Sequence, residues 1–387
     1  MSKWFRENAS ISASDLTEEF MRLRRGSVTR RHFLGVTGLG AAAALMARQP
    51  GLFPSEAHAQ EDLGSVMVLA TWPNYHDPST FEAFTAATGV AVEVHVFGSN
   101  EEILARLQAG DAGWDLFVPT NHTISTYADL GLIDPLDLAR LPNYDPKTQN
   151  ARFTNEGTVD GKIYALPKNW GATGIAFNSD RIKSPVTSWK AFFEIAMTEA
   201  DGRAMVHDYQ LTTIGSALVS LGHSFNSIKP GELAEAEELL LRVKPHLYAI
   251  NSDYQPAMRA SNAWMTMCWT GDGAQLNRDI PEIQFALGTD GGEIWSDFFG
   301  IPKSAGNKPA AYALLNFLMD PQNAAKEHIA NSTPTTDSRV MSLLPAEITG
   351  DKIVYPDEAA LMPLEFGAAV TLTDPARAEL MARFKSA

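Results

Sequence analysis

Val66-Met67-Val68-Leu69-Ala70, running into Thr71-Trp72-Pro73-Asn74-Tyr75, decides the fold class. Five consecutive apolar residues make a short strand buried on both faces, and a polar, aromatic loop ends it. Ser79 to Ala87 then reads as a helix with Phe81, Phe84 and Thr85 on one face and Gly89 as its stop. Val90 to Phe97 alternates as a strand. Ser99 or Asn100 caps a second helix, with Glu101 and Glu102 where carboxylates meet the positive end of the helix dipole. Ile103, Leu104 and Leu107 carry it to Ala109-Gly110, and Asp115-Leu116-Phe117-Val118-Pro119 is another short strand. Strand, helix, strand, helix in this order implies an α/β fold with a mainly parallel sheet flanked by helices.

The alternation resumes after an irregular stretch from Leu138 to Gly161. Tyr164 to Phe177 reads as a strand pair interrupted by Gly171 and Gly174. Helices are expected at Leu211–Leu221, Gly231–Lys244, Pro309–Met319 and Pro321–Ala330, and strands at Trp264–Trp269 and Ile294–Ile301. Gly271-Asp272-Gly273 and the run from Gly288 to Gly292 read as turns. In open α/β sheets, ligands bind beyond the carboxyl ends of the strands. Here those ends are Thr71–Tyr75, Pro119–His122, Asn169–Ala172, Trp269–Asp272 and Trp295–Asp297, and four of them hold one of the chain's eight Trp residues. That clustering favours an aromatic-lined cleft.

Charge narrows the partners. The chain has 387 residues, a formal charge of −15 and one cysteine. Acidity argues against nucleic acid and anionic membrane surfaces, and one Cys excludes a disulfide framework. Near the start, Arg30-Arg31 precedes Phe33-Leu34, a Gly/Ala-rich uncharged stretch and Ala57-His58-Ala59, the layout of a twin-arginine export signal with its cleavage site. Removing residues 1–59 takes away eight Lys/Arg and five Asp/Glu, leaving 328 residues with 23 basic against 41 acidic groups, a charge of −18. No Cys stands at the cleavage site, so the mature chain is expected free in the periplasm rather than lipid-anchored. Cys268, inside an apolar run, is expected to pack.

Catalytic and metal-binding patterns are not found. GxSxG, HExxH, Walker A and GxGxxG are missing, and the nine His show no metal-ligand spacing. No cofactor is called for. Aromatic rings beside carboxylates, by contrast, suit an alkylammonium. Methylenes pack on ring faces, the cation is drawn to the π face, and a carboxylate supplies a charge-assisted hydrogen bond. Asp272 three residues after Trp269 and Asp297 two after Trp295 are the candidate carboxylates.

With these residues in view, the chain resembles the spermidine/putrescine-binding proteins of ABC importers. The likeness runs through Ala70-Thr71-Trp72-Pro73-Asn74-Tyr75, Asp115–Thr120, Ala165-Leu166-Pro167 with Trp170-Gly171-Ala172-Thr173, Trp269–Asp272, Ile294–Asp297, Leu315–Leu318 with Asp320-Pro321, and Tyr355-Pro356. The resemblance implies a two-lobe periplasmic binding protein of the second type, with two crossover strands at a hinge and ligand clamped by closure. With the export signal at 1–59 set apart, it places one lobe at 60–169 and 300–335, and the other at 170–299 and 336–387. It carries ligand contacts onto Trp72, Tyr75, Thr120, His122, Asp208, Trp269, Asp272, Trp295 and Asp297, and the crossing onto Trp170 and Gly171. It implies a monomer that delivers a small amine to a membrane permease and has no enzymatic activity.

The sequence departs from the family at one loop. His207-Asp208-Tyr209-Gln210-Leu211-Thr212 keeps Asp208, but Leu211 or Thr212 stands where a second gripping carboxylate is expected. A diamine needs a carboxylate at each end. Three readings are therefore carried forward: a polyamine; an amino acid such as 4-aminobutyrate or an opine-like amine, with Arg259 or Arg278 as a carboxylate partner; and a secreted enzyme with a substrate cleft.

Overall fold

A computed structural model describes residues 62–387, residues 74 and 111 excepted. The export signal and its cleavage site lie outside the described residues. The strands are β1 Val66–Thr71, β2 Ala91–Val96, β3 Leu116–Phe117, β4 Thr158–Val159, β5 Lys162–Ile163, β6 Ala165–Asn178, β7 Ala204–Val206, β8 Leu247–Ile250, β9 Met265–Trp269, β10 Ile283–Ala286, β11 Gly292–Gly300 and β12 Leu364–Phe366. Ten of them form one sheet in the order β2-β1-β3-β11-β6-β9-β7-β8, with β10 paired to β6 and β12 to β11.

Two antiparallel strands, β6 and β11, carry this sheet from one half of the molecule to the other. At one end Gly300 of β11 pairs with β3, whose partner β1 runs parallel to it and to β2. At the other end β6 pairs with β9, which runs parallel to β7 and through it to β8. Each half buries its own apolar core. Met67, Leu69, Phe84, Leu116, Leu166, Phe299 and Leu315 pack together in the first. Trp189, Phe192, Phe193, Ile214, Leu218, Met265 and Phe384 do so in the second. Removing one of these rings costs on the order of 3–5 kcal/mol.

Local signals position the loops. Asp77 caps the helix Pro78–Thr88 by accepting from Ser79 N, and Gly89 ends it at φ 82°, a left-handed conformation open to glycine. Ser99 caps Asn100–Gln108 by accepting from Glu102 N.

Two expectations need correction. The interrupted strand pair expected at Tyr164–Phe177 is one 14-residue strand, Ala165–Asn178. Its glycines do not break it, because rings occupy the space a Cβ would need: Trp295 over Gly171 and Phe285 over Gly174. Gly271-Asp272-Gly273 is the first turn of the helix Thr270–Asp279, not a loop. The Thr270 hydroxyl fixes that start by bonding the backbone N–H and carbonyl of Ala172 on β6. Cys268 is buried beside Tyr254, Met258 and Leu276.

Candidate ligand cleft

Antiparallel partners point to the same side of a sheet, and residues two apart share a face. On β11 this places Glu293, Trp295 and Asp297 on one face, opposite Thr173, Gly171 and Asn169 of β6. Trp269 of β9 is paired with Thr173 and joins the same row as Glu293. The face is a column of carboxylate, indole and carboxylate, with a second indole beside one end. Glu293 is 3%, Trp295 7% and Asp297 6% exposed.

The Asp297 end is tied to the first half of the chain. A bulge follows Asp297, and Phe298 N donates to Pro119 O at 2.9 Å, which brings Thr120 alongside. Thr120 Oγ1 donates to Asp297 Oδ1 at 2.7 Å and Tyr75 Oη to Oδ2 at 2.6 Å. Tyr75 Oη also lies 2.8 Å from the Asn169 amide. The phenol has one proton, and both the Asp297 carboxylate and Asn169 Oδ1 face it as acceptors. Burial raises Asp297 to about 6 even though both hydroxyls and the Lys168 charge pull it down. Lys168 Nζ lies 4.2 Å from the Tyr75 ring centroid, a cation–π contact.

The Glu293 end is tied to the second half. Thr173 Oγ1 and Thr212 Oγ1 donate to Glu293 Oε2 at 2.7 and 2.6 Å. The Thr212 and Tyr209 hydroxyls are 2.8 Å apart, and Trp269 Nε1 donates to Tyr209 Oη at 3.2 Å. Thr212 spends its one proton on the carboxylate, so its neighbour Tyr209 donates to it. The donors run Trp269, Tyr209, Thr212 and end on the Glu293 carboxylate, which accepts. Around them His207 stacks on Tyr209 and Tyr254, and Trp269 lies 4.7 Å from His207. Burial raises the Glu293 carboxyl, against the threonine bonds and the charge of the buried Arg377.

Asp272, in the first turn of its helix, accepts from Tyr254 Oη at 2.8 Å. Burial raises its carboxyl above the usual range. Its charge reaches Tyr75: burial and Asp297 push that phenol up, and Asp272 adds to them. Asn331 holds the two sides together, donating to Tyr75 O at 3.3 Å and accepting from Gln275 Nε2 at 3.3 Å.

A family profile of bacterial extracellular solute-binding proteins matches residues 79–353. The chain belongs to this family. It is 30% identical to the putrescine-binding periplasmic protein SpuD of Pseudomonas aeruginosa, over 79% of this chain and 88% of that one. It is 31% identical to the spermidine/putrescine-binding periplasmic protein of Salmonella typhimurium, over 78% and 86%. The solved structure of a putative spermidine/putrescine ABC transporter from Listeria monocytogenes superposes with a TM-score of 0.78 at 29% identity, covering 84% of this chain and 99% of that one. The fold is thus the α/β periplasmic binding protein fold, built here on one mixed sheet.

Within this solute-binding chain the expected residues separate. Tyr75, Thr120 and Asp297 gather at one end of the column, with Asp272 in electrostatic reach; Trp295 stands at its middle and Trp269 at the other end. Trp72 packs edge-on against Phe97 at 4.7 Å. Asp208 is taken up by Ser252, whose Oγ is 2.5 Å from Oδ1. His122, 5% exposed, lies against Gly367, opposite Leu211. Burial, with the Arg377 charge, lowers it to about 3. Trp170 is on the opposite face of β6, stacked on Phe153 at 4.4 Å and donating to Thr335 O. Arg259 and Arg278 pair with Asp279. Glu293 and Tyr254 join the site unannounced by the sequence reading, and Asn169, His207 and Tyr209, in stretches it named, join without having been assigned a contact. Among the described residues no group of three or more His, Cys, Asp or Glu is placed to hold a metal.

Proposed function

We propose that the chain is the periplasmic binding protein of an ABC importer and captures a polyamine of the putrescine/spermidine class. The column of Glu293, Trp295 and Asp297, flanked by Trp269, Tyr75 and Asp272, carries this reading. Rings cover the methylenes, carboxylates meet the ammonium groups, and water exclusion strengthens each pair. The mechanism is non-covalent. Residues 60–169 with 300–335 and residues 170–299 with 336–387 act as the two lobes, and β6 and β11 form the hinge. A folded, unanchored monomer, exported by the twin-arginine route, hands its ligand to a membrane permease.

One observation favours a second reading. Trp295 Nε1 is a buried donor with no acceptor among the described residues. An ammonium cannot accept from it, whereas an oxygen of an amino acid or opine-like ligand can. Thermal-shift assays with putrescine, spermidine and 4-aminobutyrate separate the readings, since ligand that binds the folded state raises the melting temperature. A rise with the two polyamines alone supports the first reading. A rise with 4-aminobutyrate alone replaces it.

A further inference from the structure

We propose that Glu293 is the second ammonium anchor of the cleft and sets its preference for a triamine-length ligand. This inference rests on the polyamine reading above and adds a residue and a length to it. The loop from His207 to Thr212 brings no carboxylate of its own into contact with Trp269, because Asp208 is bonded to Ser252. The charge comes instead from the crossing strand. Glu293 reaches Thr212 at 2.6 Å, so its carboxylate stands beside the loop that lacks one. Both threonine hydroxyls bond Oε2, and Oε1 takes part in neither bond. Tyr209 and Trp269, linked to the same threonine, supply ring faces next to it.

Strand geometry gives the length. Glu293 and Asp297 are four residues apart on one face, roughly 13 Å at about 3.3 Å per residue. At roughly 1.25 Å of advance per bond, the terminal nitrogens of extended spermidine lie about 11 Å apart and those of putrescine about 6 Å. A triamine spans both carboxylates with the Trp295 ring beneath its middle. Putrescine reaches one end at a time.

The test is calorimetric titration of wild-type protein and Glu293→Gln with spermidine and with putrescine. Spermidine affinity is expected to fall at least tenfold in Glu293→Gln and putrescine affinity less than threefold. Adding Thr212→Glu to Glu293→Gln returns a carboxylate to within a few bond lengths and is expected to restore spermidine binding, which a purely structural role for Glu293 would not produce. Unchanged spermidine affinity in Glu293→Gln, or equal losses for both ligands, overturns the inference while leaving the polyamine reading standing. Wild-type protein that binds neither amine overturns both. If Glu293→Gln melts out of its folded state, Glu293→Asp is read in its place, with the same ordering of losses expected and equal losses overturning the inference.

Discussion

Gly171 and Trp295 are cross-strand partners on β6 and β11, and a Cβ at position 171 would stand 2.5 Å from Trp295 Cζ2. The indole lies flat over the neighbouring strand only because that position has no side chain. Gly171→Ala is expected to push the ring off the column. Overpacking of this kind costs about 1–3 kcal/mol, and amine affinity should drop at least tenfold. Thermal melting and titration of the variant check both. A variant with unchanged melting and affinity would show that the ring is not held there.

Asp272 is expected to contribute more to binding than any ring. Asp272→Ala should weaken amine binding by about 2–5 kcal/mol, the scale for leaving one member of a desolvated charge pair alone. Tyr254→Phe removes the hydrogen bond that orients this carboxylate and should have a smaller effect in the same direction. A double-mutant cycle on the two positions measures their coupling.

Binding should depend on pH through Asp297. Its carboxyl is raised by burial to about 6, and a cationic ligand needs the ionised form. One pH unit below that value about a tenth of the carboxylate is ionised, so affinity should be roughly tenfold weaker near pH 5 than at its neutral plateau. Proton release on binding should appear in the same range, as a buffer-dependent heat. Asp297→Asn should bind weakly and flatten the profile.

Stability should fall in mild acid for a different reason. Burial holds His76 and His328 near 4 and His122 and His207 near 3, so all four are neutral in the folded protein at pH 5. The unfolded chain protonates them below about 6.5, so it binds more protons than the native state there and stability declines as pH falls from 6.5 toward 4. Each contributes a slope of up to about 1.4 kcal/mol per pH unit. Asp297, Asp272 and Glu293, raised in the fold, work in the opposite sense, while Glu327, held at about 2, adds to the four histidines. Denaturant unfolding at pH 7, 6 and 5 tests the sign, and His122→Asn should reduce the slope.

The order of strands and helices was legible because short apolar runs end in turn residues, as Val66–Ala70 does before Pro73. Gly171 misled for a physical reason. Glycine signals a break when read locally, while here it answers a ring arriving from residue 295. The loops of the site were also legible, but the direction of their side chains was not. Asp208 and His122 lie on expected loops and turn to Ser252 and Gly367, which are remote in sequence. Tyr254 meets the stacked pair of His207 and Tyr209 only through packing of two segments distant in sequence. Glu293 had a usable signal. Read with period two, Glu293, Trp295 and Asp297 share a face, yet the preceding glycines draw Glu293 into an apparent turn.

Calorimetric titration of the purified chain with spermidine tests the amine cleft most directly. One spermidine should bind per chain, with the heat abolished when both Asp272 and Asp297 are replaced by Ala. A flat titration of the folded wild-type protein, or saturable binding that survives loss of both carboxylates, would contradict it.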